Sequence, residues 1–290
     1  MKCQRLDLGD RALDLNATLH CGQVFHWTAG GDGQVAALGE KAVWISHVRK
    51  DNTLLYQGCK EETLERYLGL DLDLSHILKT FPGRDSHLAA AMDYTPGLRL
   101  CRQPTWECLA SFITSSLKQV PHIRKISLTL RQRFGKSCKV GEHTVWAYPT
   151  PAELAAAGEE ALRECGLGYR AKSLALAAER IASGEFSLDD LETEEDTRAR
   201  KRLCELHGVG EKIADCVLLF GYGRLAAFPI DVWVERVLKR LYAPRGKKKK
   251  WPRAEMQAYA AKYFGPYAGY AQQYLFHYAR HHDKMLFGDR

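Results

Sequence analysis

Apolar and polar residues alternate along residues 22–57, which indicates strands rather than helices. The alternating runs read QVFHW, QVAAL, AVWISHV and TLLYQ, and the turn-forming segments AGGDG and RKDN lie between them. Period-two runs bounded by turn residues are typical of an antiparallel meander. We therefore predict an antiparallel sheet in the N-terminal part of the chain.

From about residue 60 the apolar residues recur at i, i+3 and i+4, which is the period of an amphipathic helix. Eleven later segments follow it, from EETLERYLGL to YAGYAQQYLFHYARHH, with proline or glycine at several of their ends. Strands followed by helices predict an α+β protein. We place an antiparallel-sheet domain at residues 1–100 and a mainly helical domain at residues 101–290.

Composition narrows the class of protein. The chain has 290 residues and is 46% apolar, enough for one large or two ordinary packed domains. No apolar run reaches the roughly 18–20 residues of a membrane span, and MKCQRLDLGD lacks the apolar core of a secretory signal. Nine scattered cysteines without a CxxC pair indicate reduced thiols, so we expect an intracellular protein with no membrane partner.

Positive charge is concentrated near the C-terminal end. The net charge is +7, and the segment from Arg236 to Arg253 holds nine Lys or Arg residues and no acid. A solvated basic loop is one interpretation. Contact with a polyanion, nucleic acid above all, is the other.

The segment TRARKRLCEL–HGVG–EKIADCVLLF predicts two helices joined by a short turn. Gly208 and Gly210 allow positive φ and a close approach of the backbone to a ligand, and Val209 lies between them. The turn leads into a helix N-terminus, which favours an anion such as a DNA phosphate. An ordinary turn between helices is the alternative, and the basic segment favours DNA.

Two residues near this turn could carry chemistry. Lys212 lies in the first turn of the second helix, where the dipole disfavours a cation and so favours a neutral, nucleophilic amine. The ordinary alternative is a surface lysine paired with Asp215 at i+3. Asp231 precedes a further helix, which it would cap. A rigidly held carboxylate there could also stabilise a developing cation.

Six segments, in order, resemble the 8-oxoguanine DNA glycosylase/lyase family, within the helix-hairpin-helix, Gly/Pro-rich loop and aspartate superfamily of DNA glycosylases. The resemblance runs from about residue 5 to residue 278. The matching segments are HCGQVFHW (20–27), PTWECLASFITSS (104–116), GLGYRAK (166–172), GVGEKIADC (208–216), PIDV (229–232) and GPYAGYAQQYLF (265–276).

The resemblance implies a fold and a reaction. A sheet domain would pack against helical lobes, with duplex DNA containing an oxidised purine bound in the cleft between. The damaged base would be flipped out, Lys212 would attack C1′, and the resulting Schiff base would undergo β-elimination. Asp231 would stabilise the developing positive charge. The resemblance implies no metal and no cofactor, a monomer, and a location in the cytoplasm or nucleoid if bacterial or in the nucleus if eukaryotic.

It also implies residues that hold the flipped base. Gly22 would accept the extra N7 hydrogen of 8-oxoguanine, Cys216 and Phe276 would sandwich the base, and Gln272 would bind its Watson–Crick edge. Each has a simpler interpretation: a turn glycine, two core side chains and an amide on the helix surface. At the DNA, the resemblance makes Tyr169 the wedge and Arg170 the reader of the estranged base; the simpler interpretation is a helix start with a basic surface residue.

The chain departs from the family pattern in two places. The best-known members have consecutive asparagines and then an arginine that read the opposite cytosine, and this chain instead has Leu117, Lys118, Gln119 and His122. Preference for cytosine opposite the lesion is therefore in question, although Leu117 could act as an apolar wedge. After PIDV the family often has a phosphate-contacting histidine, and Trp233 stands there.

Two other classes of protein share some of these sequence features. An alkylated-base DNA glycosylase shares the superfamily, but those enzymes generally lack the hairpin lysine, so Lys212 argues against one. Iron–sulfur relatives need four C-terminal cysteines, and none follows Cys216. A non-catalytic helix-hairpin-helix DNA-binding protein would explain the glycines and the basic segment, but not the joint match of Lys212, Asp231, Gly22 and Phe276.

Overall fold

A five-stranded antiparallel sheet forms the N-terminal part of the molecule, as predicted. The structure, a computed structural model, describes residues 3–115, 119–244, 246 and 250–288. The strands are β1 (Gln4–Asp7), β2 (Thr28–Gly30), β3 (Gly33–Leu38), β4 (Lys41–Val48) and β5 (Thr53–Gln57). Their spatial order is β1-β5-β4-β3-β2, and β1, which the sequence pattern did not predict, pairs with β5 at one edge.

The predicted strand over QVFHW is wrong, because residues 23–27 lie outside the sheet and β2 begins only at Thr28. All five residues of this segment are buried. Hydrogen bonds from the Gln23 side chain take the place of the hydrogen bonds that a strand would make in a sheet. Its Nε2 donates to the carbonyls of Thr18 and Arg99 at 2.8 and 2.7 Å, and its Oε1 accepts from the Cys101 N–H at 2.8 Å. The segment thus crosses between the sheet and the helices without joining either.

The eleven predicted helical segments all contain helix, with small differences at their ends. In the region 232–242 the α-helix ends at Val237 and a π-helical turn follows. Three short helices, Leu15–His20, Leu74–Lys79 and Asp283–Phe287, were not predicted. The helices are α1 (Leu15–His20), α2 (Glu61–Leu68), α3 (Leu74–Lys79), α4 (Ser86–Tyr94), α5 (Thr105–Thr114), α6 (Val120–Phe134), α7 (Pro151–Leu162), α8 (Arg170–Ala182), α9 (Asp196–Leu203), α10 (Glu211–Phe220), α11 (Val232–Val237), α12 (Arg253–Phe264), α13 (Ala268–His281) and α14 (Asp283–Phe287).

A hairpin inside the helical part was also missed. Strands β6 (Ser137–Val140) and β7 (His143–Trp146) pair antiparallel, and their Val140 and Val145 pack against Val35 of the N-terminal sheet. The hairpin therefore fastens the helical part to the sheet. The division at residues 100 and 101 stays a prediction. No helix among the described residues is both long and apolar enough to cross a lipid bilayer.

A buried ion pair joins α5 to α6, and the segment at residues 23–27 contacts it through His26. Arg131 donates to the carboxylate of Glu107, and His26 Nδ1 lies 3.2 Å from the same carboxylate. Burial raises the pKa of Glu107 and the charge of Arg131 opposes that rise. Because removing one partner of a buried ion pair is strongly destabilising, the pair of Glu107 and Arg131 holds α5 against α6.

Candidate active site

The predicted helix-turn-helix is present, with α9 and α10 joined through the HGVG turn. Gly208 has φ +78, and a Cβ added there would lie 2.3 Å from Ser173 Oγ. Gly210 has φ −103 with open space around it and caps α10. Only Gly208 therefore uses the backbone freedom of glycine, while Gly210 leaves room beside the N–H groups that begin α10. Val209 between them is buried.

Tyr169 and Arg170 lie beside this turn. Arg170 Nη1 donates to the Gly208 carbonyl at 3.0 Å, and its guanidinium lies 4.8 Å from the centroid of the Tyr169 ring. Tyr169 is 57% exposed, which is unusual for a large aromatic side chain. The pair is therefore held to the hairpin with its aromatic ring presented to solvent.

Lys212 points away from Asp215 and towards α5. Its Nζ lies 3.5 Å from Ser115 Oγ and 5.0 Å from the centroid of the Phe112 ring. Asp215 is instead paired with Arg200, so the simpler interpretation of Lys212 as the surface partner of Asp215 is wrong. In the part of the chain that the structure describes, Lys212 forms no ion pair.

Asp231 is the N-cap of α11, as predicted. Its Oδ1 accepts a hydrogen bond from the Val234 N–H at 2.8 Å. Burial raises the pKa of Asp231; the hydrogen bond from Val234 and the nearby charge of Lys212 oppose that rise. A partly buried carboxylate fixed by a helix cap is thus in electrostatic contact with the lysine amine.

Lys212 and Asp231 open on one cavity of about 420 Å³, within the usual range for small-ligand pockets. It brings together six of the predicted site residues. The lining consists of Gly22, Phe25, Phe112, Ser115, Gln119, Val120, Pro121, Ile123, Lys212, Asp231, Trp233, Phe276 and Arg280.

Of the other predicted residues that the structure describes, none is part of the cavity wall. Cys216 is buried one turn after Lys212, and burial raises the pKa of its thiol to about 12. Gln272 is 4% exposed, one turn before Phe276, and its Oε1 has no hydrogen-bond partner among the described residues. His122 is exposed on α6. Leu117 and Lys118 lie outside the described residues.

Sequence reasoning missed Phe112, Ser115 and Arg280. Phe112 and Ser115 lie in the matched segment PTWECLASFITSS, but nothing in the residues singled them out. Arg280 follows Phe276 by four residues, so helical spacing places it on the same face of α13. That spacing could have identified Arg280. We overlooked it because basic residues such as those in ARHH are common in the last turn of any helix.

Two protein-family models match the chain, one after the other. The N-terminal domain of 8-oxoguanine DNA glycosylase matches residues 5–109, and the HhH-GPD superfamily of base excision DNA repair proteins matches residues 110–261. The fold is therefore that of a helix-hairpin-helix base-excision DNA glycosylase. Within that superfamily the chain belongs to the 8-oxoguanine DNA glycosylase/lyase family, as the sequence predicted.

Individual relatives agree along most of the chain. A probable N-glycosylase/DNA lyase from Methanothermobacter thermautotrophicus is 29% identical over 247 residues, 78% of each chain. The structure of MBOgg1 in complex with a low-affinity DNA ligand has a TM-score of 0.88 at 31% identity, covering 98% of this chain and 100% of that one. The 8-oxoguanine glycosylase/lyase of Clostridium acetobutylicum, bound to duplex DNA containing cytosine opposite 8-oxoguanine, has a TM-score of 0.86 at 28% identity, covering 98% and 99%.

Proposed function

We propose that this protein excises 8-oxoguanine and related oxidised purines from duplex DNA and then cleaves the strand at the resulting site. The observation that carries the proposal is that Lys212 and Asp231 open on the same cavity as Gly22 and Phe276. A nucleophile, a fixed carboxylate and two base-binding groups are thereby gathered around a space of ligand size. The solved Clostridium acetobutylicum relative, bound to DNA containing 8-oxoguanine, supports the choice of substrate.

The flipped base would be held on both faces and along two edges. Phe276 supplies an aromatic face and Cys216 an uncharged thiol face, since its raised pKa keeps the proton on sulfur. The Gly22 carbonyl would accept from N7–H, where guanine itself presents an acceptor and would be repelled. The unpaired Oε1 of Gln272 suits the N–H donors of the Watson–Crick edge, because a buried acceptor is costly until it is paired.

The first chemical step breaks the glycosidic bond. The amine of Lys212 attacks C1′ through its nitrogen lone pair, and the C1′–N9 electron pair leaves with the base, which takes up a proton. Positive charge develops on the sugar as that bond lengthens, and the Asp231 carboxylate stabilises it. Asp231 is suited to this role because its helix cap fixes its position before the substrate arrives.

The second step cleaves the strand. The amine nitrogen gives up a proton, and its lone pair forms a C=N bond to C1′ while the C1′–O4′ bond breaks and O4′ takes up a proton. The sugar ring is thereby opened, and an imine joins Lys212 to C1′. Removal of a C2′ proton then expels the 3′ phosphate oxygen, and hydrolysis of the imine returns the free lysine. The DNA strand is left broken on the 3′ side of the lesion.

The remaining predicted residues would act on the DNA around the lesion. The turn at Gly208, Val209 and Gly210 would hold a phosphate, and Tyr169 would fill the gap left by the flipped base. We assign the opposite base to Arg170 and to the segment with Leu117, Lys118, Gln119 and His122, and a backbone contact to Trp233. The enzyme would act where cellular DNA lies, in the cytoplasm or nucleoid of a bacterium or the nucleus of a eukaryote, as a monomer.

Borohydride trapping tests the reaction and the assigned lysine together. The protein and Lys212→Gln are incubated with duplexes holding 8-oxoguanine opposite each of the four bases, with Lys262→Gln as a matched control on the exposed face of α12. We expect a covalent adduct that Lys212→Gln loses and Lys262→Gln keeps. Variation of adduct yield with the opposite base would report on residues 117–122. Absence of both adduct and base release from every duplex would refute the proposal.

A further inference from the structure

Arg280 contributes a second positive charge to the cavity. It lies on α13 one turn after Phe276, and it lines the cavity together with Gly22 and Phe276. Its guanidinium lies 5.3 Å from the centroid of the Phe276 ring. The ring expected to stack on the flipped base therefore has an arginine at its side.

One nitrogen of this guanidinium is already committed. Arg280 Nη1 donates to the Cys21 carbonyl at 3.0 Å. Within the described residues, the guanidinium makes no other hydrogen bond and no ion pair. An arginine carries five N–H donors in a rigid plane. The Cys21 carbonyl thus fixes the orientation of the plane and leaves donors for a ligand.

The guanidinium lies directly beside Gly22, and its nearest nitrogen is the committed Nη1. A Cβ added to Gly22, which has φ +101, would lie 3.2 Å from Val120 Cγ2, 3.3 Å from Arg280 Nη1 and 3.4 Å from the Phe276 ring. No side chain therefore separates the Gly22 backbone from the guanidinium. A backbone acceptor and an arginine donor are adjacent in the wall of the cavity.

This juxtaposition matches one edge of an oxidised purine. In 8-oxoguanine an N7–H donor lies next to the C8 carbonyl acceptor, whereas guanine has an N7 acceptor next to a C8–H. We propose that Arg280 is a specificity-determining residue that donates a hydrogen bond to O8 while the Gly22 carbonyl accepts from N7–H. The inference rests on the proposed function, because it takes 8-oxoguanine as the ligand of this cavity.

Guanine would make neither hydrogen bond with the Gly22 carbonyl and the Arg280 guanidinium. Arginine donors do bind guanine N7 in other settings, but here the hydrogen bond to Cys21 holds the guanidinium beside Gly22, whose carbonyl would repel the N7 acceptor. A C8–H in place of O8 would leave a charged donor unpaired in a partly buried site, which is costly. Arg280 would therefore favour the lesion over the normal base as well as strengthen binding.

Binding ratios in an inactive background test this role. Lys212→Gln, with and without Arg280→Met, is titrated with matched duplexes containing 8-oxoguanine or guanine at one position. We expect Arg280→Met to reduce the ratio of the two affinities about 10- to 100-fold, the range for a hydrogen bond to a charged group. Arg280→Lys, which keeps a charge and donors, should lose less. The matched control Arg163→Met removes an exposed arginine paired with Glu159 and should not change the ratio.

The outcomes separate the two proposals. If Lys212→Gln with Arg280 intact shows no preference for the lesion duplex, both the proposed function and this inference fail. If that preference exists and Arg280→Met retains it, or weakens both duplexes equally, only this inference fails. A crystal structure of Lys212→Gln with the lesion duplex is independent of any folding defect in the variants. A guanidinium nitrogen within about 3.2 Å of O8 is the expected result, and a guanidinium on a phosphate oxygen instead would overturn it.

Discussion

Arg200 Nε donates to Asp215 Oδ1 at 2.6 Å, and this pairing explains why Lys212 faces the cavity. The Asp215 side chain is fully buried, and Gln257 Nε2 donates to its other oxygen at 2.8 Å. Burial raises the pKa of Asp215 to about 6, and both partners oppose that rise. Because Arg200 of α9 and Gln257 of α12 already donate to this carboxylate, Asp215 does not pair with Lys212. The Lys212 side chain can therefore extend into the cavity.

Arg200→Met should destabilise the protein in a pH-dependent way. Asp215 has a pKa raised above its unfolded value, so the folded state holds its proton more tightly and the buried charge weakens stability as pH rises through about 6. Removing Arg200 raises that pKa further. We expect a loss of about 2–4 kcal/mol at pH 8 and a smaller loss at pH 5, measured by urea denaturation. An equal loss at both pH values would contradict this, and Arg163→Met provides the exposed control.

Asp231→Asn should separate the charge of Asp231 from its role as a cap. Asparagine caps helices about as well as aspartate, whereas alanine costs roughly 1 kcal/mol. We therefore expect Asp231→Asn to keep the unfolding free energy and Asp231→Ala to lower it. Both should slow single-turnover excision of 8-oxoguanine by about 10²–10³-fold, the usual effect of losing one transition-state electrostatic contact. Excision by Asp231→Asn at the normal rate would remove Asp231 from the mechanism.

The same pair of proteins should show the titration of Asp231. Burial raises its pKa above 3.8, and only the ionised form stabilises a cation. As pH falls through the raised pKa, the wild-type advantage over Asp231→Asn should shrink towards unity, with a midpoint above 3.8. Taking the ratio of the two rates cancels other groups that titrate in both proteins. A ratio independent of pH across that range would contradict the assigned role.

The order of strands and helices along the chain was well predicted, because the spacing of apolar residues depends only on neighbouring positions in the sequence. The helices from α5 to α13 and the meander from β3 to β5 follow it. The strand predicted over residues 23–27 failed for a tertiary reason: the segment is buried on both faces and the Gln23 side chain supplies its hydrogen bonds. Short elements such as β1 and α14 have too few residues to show a period.

The site could be predicted only as far as motif spacing and family resemblance reach. Lys212, Asp231, Gly22 and Phe276 were each assigned from the sequence, and the fold gathers them around one cavity. The partner of Asp215 was beyond reach, because Arg200 and Gln257 lie on other helices. The Cys21–Arg280 hydrogen bond joins residues 259 positions apart, a separation that no local pattern reports.

The two glycines of the hairpin should respond differently to alanine. Gly208 combines φ +78 with a Cβ position 2.3 Å from Ser173 Oγ, whereas Gly210 has φ −103 and open space. Gly208→Ala should cost about 2–3 kcal/mol from backbone strain and the clash. Gly210→Ala should cost less than about 1 kcal/mol, since alanine is merely a poorer N-cap than glycine. Urea denaturation of both variants makes the comparison, and equal losses would contradict the assigned conformations.

Tyr169 should matter for extrusion of the base and not for stability. Its ring is 57% exposed and is held by the Arg170 guanidinium at 4.8 Å, so its removal leaves no cavity in the core. Tyr169→Ala should therefore change the unfolding free energy by less than about 0.5 kcal/mol. Losing a wedge that offsets a few kcal/mol of unstacking should slow excision from a fully paired duplex about tenfold or more, and less where the lesion lies opposite an abasic site. Tyr169→Phe keeps the ring and should retain most activity. Equal slowing by Tyr169→Ala on both duplexes would show that the ring acts elsewhere than in base extrusion.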